Sequence, residues 1–223
     1  MDQVISLHYA AVPAQPCDAL EAFWLPRLPP MKRRALEGLR HSADRTASIL
    51  GIALLARACA YAGVAFDPSA LQFPARAKPH GLIGHDFSIS HAGGFVGCVL
   101  GGADSVGFDW EAKEAAEWSD VRHLVSPAET DRLRSAGWRA TAAWVAMEAI
   151  VKAAGVGIEQ AGDIRLDAAA GHFQQRRFYL TPVTAVPSQV AWVASVEPVV
   201  ASIVSMEYRV DSLSAALSLA VAA

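Results

Sequence analysis

Two long runs rich in alanine and aliphatic residues, 43–61 and 141–154, each stopped by a glycine (Gly63 and Gly155), constrain this chain more than any other feature. Runs of that length closed by glycine read as core-packing helices, and Ser42 is the expected N-cap of the first. A similar pattern surrounds both. A strand at 4–12 precedes the first helix, separated from it by a proline-punctuated stretch (26–30) and a short basic helix at 31–39. A strand at 106–111 precedes the second, separated from it by a polar helical stretch containing Ser126-Pro127-Ala128-Glu129. Short strand-like runs then follow each helix. After the first they are 71–73, 87–90 and 95–100, the last two a hairpin across Gly93-Gly94. After the second they are 164–166, 172–179, 190–196 and 201–208. The plan predicts an α+β fold of two similar halves, each a long helix against a small antiparallel sheet, packed as a pseudo-two-fold dimer with a groove between them. The boundary falls at Gly101-Gly102-Ala103, giving halves 1–102 and 103–223. Residue identity between them is negligible, so the repeat is one of pattern only.

At 223 residues and 53% hydrophobic content the chain can build a real core. Its net charge of −3 advertises neither nucleic acid nor an anionic membrane as partner. Positive charge is still clustered, at Lys32-Arg33-Arg34 and at Arg76 with Lys78. The three cysteines, Cys17, Cys59 and Cys98, have no metal-binding spacing and sit in apolar settings, so reduced thiols are expected. Met1-Asp2-Gln3 does not begin a signal peptide, and the apolar tail at 213–223 is shorter than the about 20 residues a spanning helix needs. The expectation is a soluble, cytoplasmic protein.

Chemistry concentrates in two segments. In Gly107-Phe108-Asp109-Trp110-Glu111, a strand would turn Asp109 and Glu111 to one face. In Trp144-Val145-Ala146-Met147-Glu148-Ala149-Ile150-Val151-Lys152, a helix stacks Glu148 and Lys152 four apart. Taken singly, each segment reads better as a solvated strand face or a surface ion pair than as a site. Together they offer oxygen donors for a hard cation such as Mg²⁺, with an ammonium beside them. Neither a Gly-x-Gly-x-x-Gly nor a Gly-x-x-x-x-Gly-Lys run occurs, which excludes the dinucleotide and P-loop readings. A Ser/His hydrolase built on His85, Asp86, Ser88, Ser90 and His91 is disfavoured too. Those residues alternate in direction along a strand, and no Gly-x-Ser-x-Gly elbow occurs.

Upstream lie Arg76-Ala77-Lys78-Pro79 and Phe87-Ser88-Ile89-Ser90-His91. With these in place the chain resembles, over nearly its whole length, the Sfp-type 4′-phosphopantetheinyl transferases. That family carries a Lys-Pro element, a Phe-x-x-Ser-His element, Gly-x-Asp-x-Glu and Trp-x-x-Lys-Glu-Ala-x-x-Lys in the same order. The resemblance implies a fold of two α+β halves with coenzyme A in the cleft between them. It also implies an Mg²⁺-dependent transfer of the 4′-phosphopantetheine arm to a serine of an apo acyl or peptidyl carrier protein, releasing adenosine 3′,5′-bisphosphate. The chain is similar to the fused, monomeric type rather than to the shorter, trimeric acyl-carrier-protein synthases.

Carried over by motif, Asp109, Glu111 and Glu148 would hold the Mg²⁺, with Asp109, Glu148 and Lys152 as catalytic residues. Either Glu148 or a water on the ion would take the serine proton. Lys152 would pair with a pyrophosphate oxygen. The resemblance places His91 at a coenzyme A phosphate with Ser90 supporting its loop; a core histidine bonded to backbone is the plainer account. It places Lys78 and Arg76 at the adenine and 3′-phosphate end, against a solvated strand edge. Arg45 resembles the 3′-phosphate arginine, with Arg57 competing. Lys32 and Arg33 either join that site or form a solvated helix face. Glu129 matches a degraded Phe-Ser-x-x-Glu element and is also an ordinary helix-start carboxylate. Trp144, Trp118 and Trp138 are assigned to core packing.

Met147 departs from the pattern, standing where the family carries lysine. A lost ammonium could lower the rate, be compensated by Lys113 or Lys152, or leave a coenzyme A or carrier-protein binding module with weak or no turnover. The three acids and Lys152 all remain, which favours an active enzyme and leads to the expectation that Met147→Lys is tolerated and even accelerates transfer.

Overall fold

The computed structural model describes residues 5–75, 77–103, 105–199 and 203–215. Strand β1 (Ser6–Ala11) is followed by a short helix α1 (Asp18–Trp24) and a 3₁₀ turn. Then come the basic helix α2 (Pro30–Glu37) and the long α3 (Ser42–Ala62). The hairpin β2 (Phe87–Ala92) and β3 (Phe95–Leu100) completes the first half. The centre of α3, from Ile49 to Leu55, is buried all round, as befits a helix apolar on every face. It ends where Gly63 adopts φ 69°, a conformation that costs a residue with a Cβ.

The second half opens with β4 (Val106–Ala112) and the short helices α4 (Trp118–Leu124) and α5 (Pro127–Ser135). Helix α6 (Ala140–Ala154) follows, stopped by Gly155 at φ 73°. Strands β5 (Arg165–Leu166), β6 (Ala170–Phe173), β7 (Arg176–Val183), β8 (Gln189–Ser195) and β9 (Val204–Tyr208) come next, with α7 (Val210–Ala215) last. The five-stranded sheet β4-β8-β7-β6-β5 is antiparallel throughout. The four-stranded sheet has the order β2-β3-β1-β9, with β1 antiparallel to β3 but parallel to β9. The chain is therefore mixed α+β, with α3 against the first sheet and α6 against the second.

Four sequence expectations differ from this structure. The strand expected at 201–208 belongs to the first sheet, so that sheet is mixed rather than antiparallel. The single strand expected at 172–179 is a hairpin, because Gln174 and Gln175 take positive φ values of 47° and 65° and reverse the chain. At 71–73 only an isolated bridge, Gln72 to His80, forms. Ser42 lies inside α3; His41 occupies the N-cap position, without a side-chain cap bond.

Two clusters of core residues lie between each sheet and its helices, and a third lies between the sheets. Alternation along β4 divides its side chains between environments. Val106, Phe108 and Trp110 enter the inter-sheet core with Ile5, Leu7 and Tyr9. Gly107, Asp109 and Glu111 are left on the opposite face, toward α6. At Gly107 a Cβ would lie 1.9 Å from the Ala149 carbonyl oxygen and 2.4 Å from the Ala153 nitrogen. Glycine there lets α6 rest backbone-to-backbone on β4, which sets Glu148 and Lys152 beside Asp109.

Candidate active site

The β4 face toward α6 carries the acids. Asp109 is 1% exposed, and its Oδ1 accepts from Lys152 Nζ at 2.5 Å and from Ser90 Oγ at 2.6 Å. Lys152 Nζ also donates to Ser90 Oγ at 3.0 Å. Its distance to Glu148 Oε2 is 3.9 Å, so the helical i,i+4 pair expected from spacing is the weaker of the lysine's two ion pairs. Asp109 Oδ2 is buried and accepts from no nitrogen or hydroxyl donor, though the Glu148 carboxyl lies within hydrogen-bond reach of the Asp109 side chain. Burial, reinforced by the Asp109 charge and opposed by Lys152, pushes the Glu148 carboxyl up to about 7. The same three causes, burial first, raise Glu111. Three carboxylates with one ammonium among them leave excess negative charge in a poorly solvated place.

Those donors are chemically suited to a hard divalent cation, and the orphaned Oδ2 of Asp109 is an open ligand position for one. Among the described residues, however, no group of three His, Cys, Asp or Glu side chains is arranged as a metal cage. The ammonium of Lys152 is the cation paired with Asp109.

The acids lie between two cavities. One of 530 Å³ is lined by Lys78, Pro79, Phe87, Ile89, Lys152 and Glu159, among others. Another of 350 Å³ is lined by Glu111, Asp120, His123, Leu124 and Trp144. Trp118, Trp138 and Trp144 are all partly buried and pack against the second core, and Trp144 also forms a wall of the second cavity.

The two sheets meet along β2 and β4, and side chains rather than a backbone ladder join them. Asp86 accepts from the Val106 amide at 2.8 Å. Ser88 Oγ accepts from the Phe108 amide at 3.0 Å and donates to the Phe108 carbonyl at 3.4 Å. Ser90 reaches Asp109. Lys78 donates to the Asp86 carboxylate and the Val106 carbonyl, and burial lowers its pKa despite that carboxylate. An alternating polar run at 86, 88 and 90, set among apolar residues, is the sequence signal for this seam. Ser88 and Ser90 use their hydroxyls here, away from any histidine.

The remaining site residues are placed as follows. His91, one residue past Ser90, is exposed and lies on the face of β2 that carries Phe87 and Ile89, both of which line the larger cavity. Arg45 is paired with Glu21 at 2.9 Å, and Arg57 donates to the Ser212 carbonyl. Arg76 lies outside the described residues. Lys32 sits 4.8 Å over the Phe73 ring, and Arg33 donates to the Pro26 and Leu28 carbonyls. Glu129 is 3% exposed, remote from the acids, and held by Arg132 and Arg165. Burial alone would raise its pKa, but those guanidinium hydrogen bonds hold it below the usual value. Met147 is fully buried in the second core, one helical step away from the face bearing Glu148.

No protein-family model matches this chain, and no curated protein matches it. The geometry of the site therefore carries the functional reading.

Proposed function

We propose that the protein transfers the 4′-phosphopantetheine arm of coenzyme A to a serine of an apo acyl or peptidyl carrier protein, in an Mg²⁺-dependent reaction. The observation that carries this is the convergence of Asp109, Glu111 and Glu148 on Lys152, which lines a 530 Å³ cavity whose wall also holds Lys78. In the reaction the serine oxygen bonds to the β-phosphorus as the pyrophosphate P–O bond breaks. The bond's electron pair leaves on adenosine 3′,5′-bisphosphate. Phosphoryl transfer of this kind depends mainly on positioning and electrostatics.

Lys152, which lines the cavity, would bind a pyrophosphate oxygen. Glu148, or a water on the ion, would accept the serine proton. Asp109, Glu111 and Glu148 would hold the Mg²⁺, which when bound neutralises phosphate charge. Lys78 and Arg45 would meet the nucleotide end by exchanging their present partners, Asp86 and Glu21. His91 would meet a coenzyme A phosphate from the strand face that also carries Phe87 and Ile89. The proposal includes membership of the Sfp-type family and a pseudo-two-fold relation between the halves, supported by one long helix on each sheet.

The rival reading, a binding module without turnover, rested on Met147. Because Met147 is buried in the core, its presence removes no group from the cleft, and this favours turnover. Incubation with coenzyme A, Mg²⁺ and a panel of apo carrier proteins tests the proposal by intact mass. A phosphopantetheine adduct should form with the wild type and disappear with chelator, Asp109→Ala or Glu148→Ala. Coenzyme A binding without an adduct on any carrier would establish the binding module instead, and full activity in either variant would sink the assignment of the acids.

A further inference from the structure

Asp109 lies almost wholly out of water, and a carboxylate so placed requires a counter-charge. Lys152 supplies it, at 2.5 Å from Oδ1, with 29% of its side chain still exposed. The same lysine lines the larger cavity, so one flexible stem borders both the buried acid and the open cleft. Ser90 holds the ammonium in its inward position through a second contact of 3.0 Å. The other carboxylate oxygen, Oδ2, is buried and accepts from no nitrogen or hydroxyl donor, and no other described cation is paired with Asp109. The acid thus depends on a single, partly exposed ammonium for its charge balance.

We propose that Lys152 is an exchangeable internal counter-ion. In the free protein its ammonium occupies Asp109, and a divalent cation that takes Asp109 releases it toward the cavity, where an anionic ligand receives it. Ser90 is the positioning residue that sets how firmly the lysine is held. This rests on the metal reading above and deepens it, since cation and phosphate binding become linked through one side chain. No covalent bond is made or broken; the exchange is of electrostatic partners only.

Mn²⁺ is the probe, titrated into the full-length protein without coenzyme A and followed by electron paramagnetic resonance of the free ion. Lys152→Met keeps most of the aliphatic stem and removes the competing charge, so it should bind Mn²⁺ on the order of tenfold more tightly than wild type. Its thermal midpoint should also gain more from added Mn²⁺ than the wild-type midpoint does. Ser90→Ala removes one anchor of the ammonium and should tighten Mn²⁺ binding by a smaller factor; it decides the matter should Lys152→Met fold poorly. Equal or weaker Mn²⁺ binding in the folded variants overturns the proposal and leaves the metal reading standing. No Mn²⁺ binding by the wild type or any variant overturns both.

Discussion

Met147 and Glu148 are neighbours on α6 that face opposite environments. Glu148 looks toward Asp109 and Lys152, whereas Met147 is enclosed among the apolar residues under the second sheet. A helix advances by about 100° per residue, so adjacent positions cannot share a face. This reverses the expectation for Met147→Lys. An ammonium there would be buried without a partner, and a loss of roughly 3–5 kcal/mol is expected. Urea unfolding of the variant measures it; a wild-type midpoint would mean that the lysine finds a route to the cleft. Asp109, Glu111, Glu148 and Lys152 were all legible as residue types at telling intervals. What the motif could not convey was pairing. Spacing suggested Glu148 as the partner of Lys152, and tertiary packing gave the lysine to Asp109 instead.

At the scale of elements, the contact of β4 with α6 determines the site. Gly107 permits it, and Gly107→Ala would drive a methyl group into the backbone of Ala149 and Ala153. Neither atom can rotate away. The variant should lose about 3 kcal/mol of stability. A displacement of α6 by even 1 Å should lower transfer on the order of a hundredfold, measured as kcat/KM against thermal midpoint. A stable variant of full activity would mean that α6 is not anchored here.

The long helices and the hairpin of β2 and β3 were legible because apolar run length, glycine stops and a Gly-Gly turn are local signals. Helix α1 was not; seven residues carry too little periodicity to declare themselves. The turn between β6 and β7 escaped because glutamine rarely adopts positive φ, so Gln174-Gln175 gives no warning in the sequence. The seam between β2 and β4 shows in the sequence only as the polar alternation at 86, 88 and 90, whose partners lie about twenty residues away and are named by no local pattern.

For the molecule as a whole, pH reports on the join between its first and last strands. His8 on β1 is fully buried, hydrogen-bonded to Tyr208 of β9 at 3.0 Å and to Ser6 at 3.1 Å. Burial lowers its pKa from 6.5 to about 4, so the folded protein keeps the ring neutral. The unfolded chain binds a proton there as pH falls through 6.5, while the native state does not until about 4. Stability should therefore decline across that window by up to about 3 kcal/mol from this group, and no further below it. Glu148, whose pKa is raised, acts oppositely in an overlapping range, losing stability as pH rises. The difference in urea-unfolding free energy between wild type and His8→Gln isolates the histidine. Parallel curves from pH 7 down to pH 4 would show that His8 is not held neutral.

The pairing of β1 with β9 also bears on how the chain reaches this structure. His8 and Tyr208 meet across a sequence separation of 200 residues. The strand that completes the first sheet is thus among the last parts of the described chain to leave the ribosome. Until then β1 keeps one edge open, a row of amides and carbonyls able to recruit any other extended segment. Contacts of such high order form slowly because a long loop must close first. The interval before β9 docks is the period in which this protein is most exposed to misassembly and most dependent on being kept apart from its own copies.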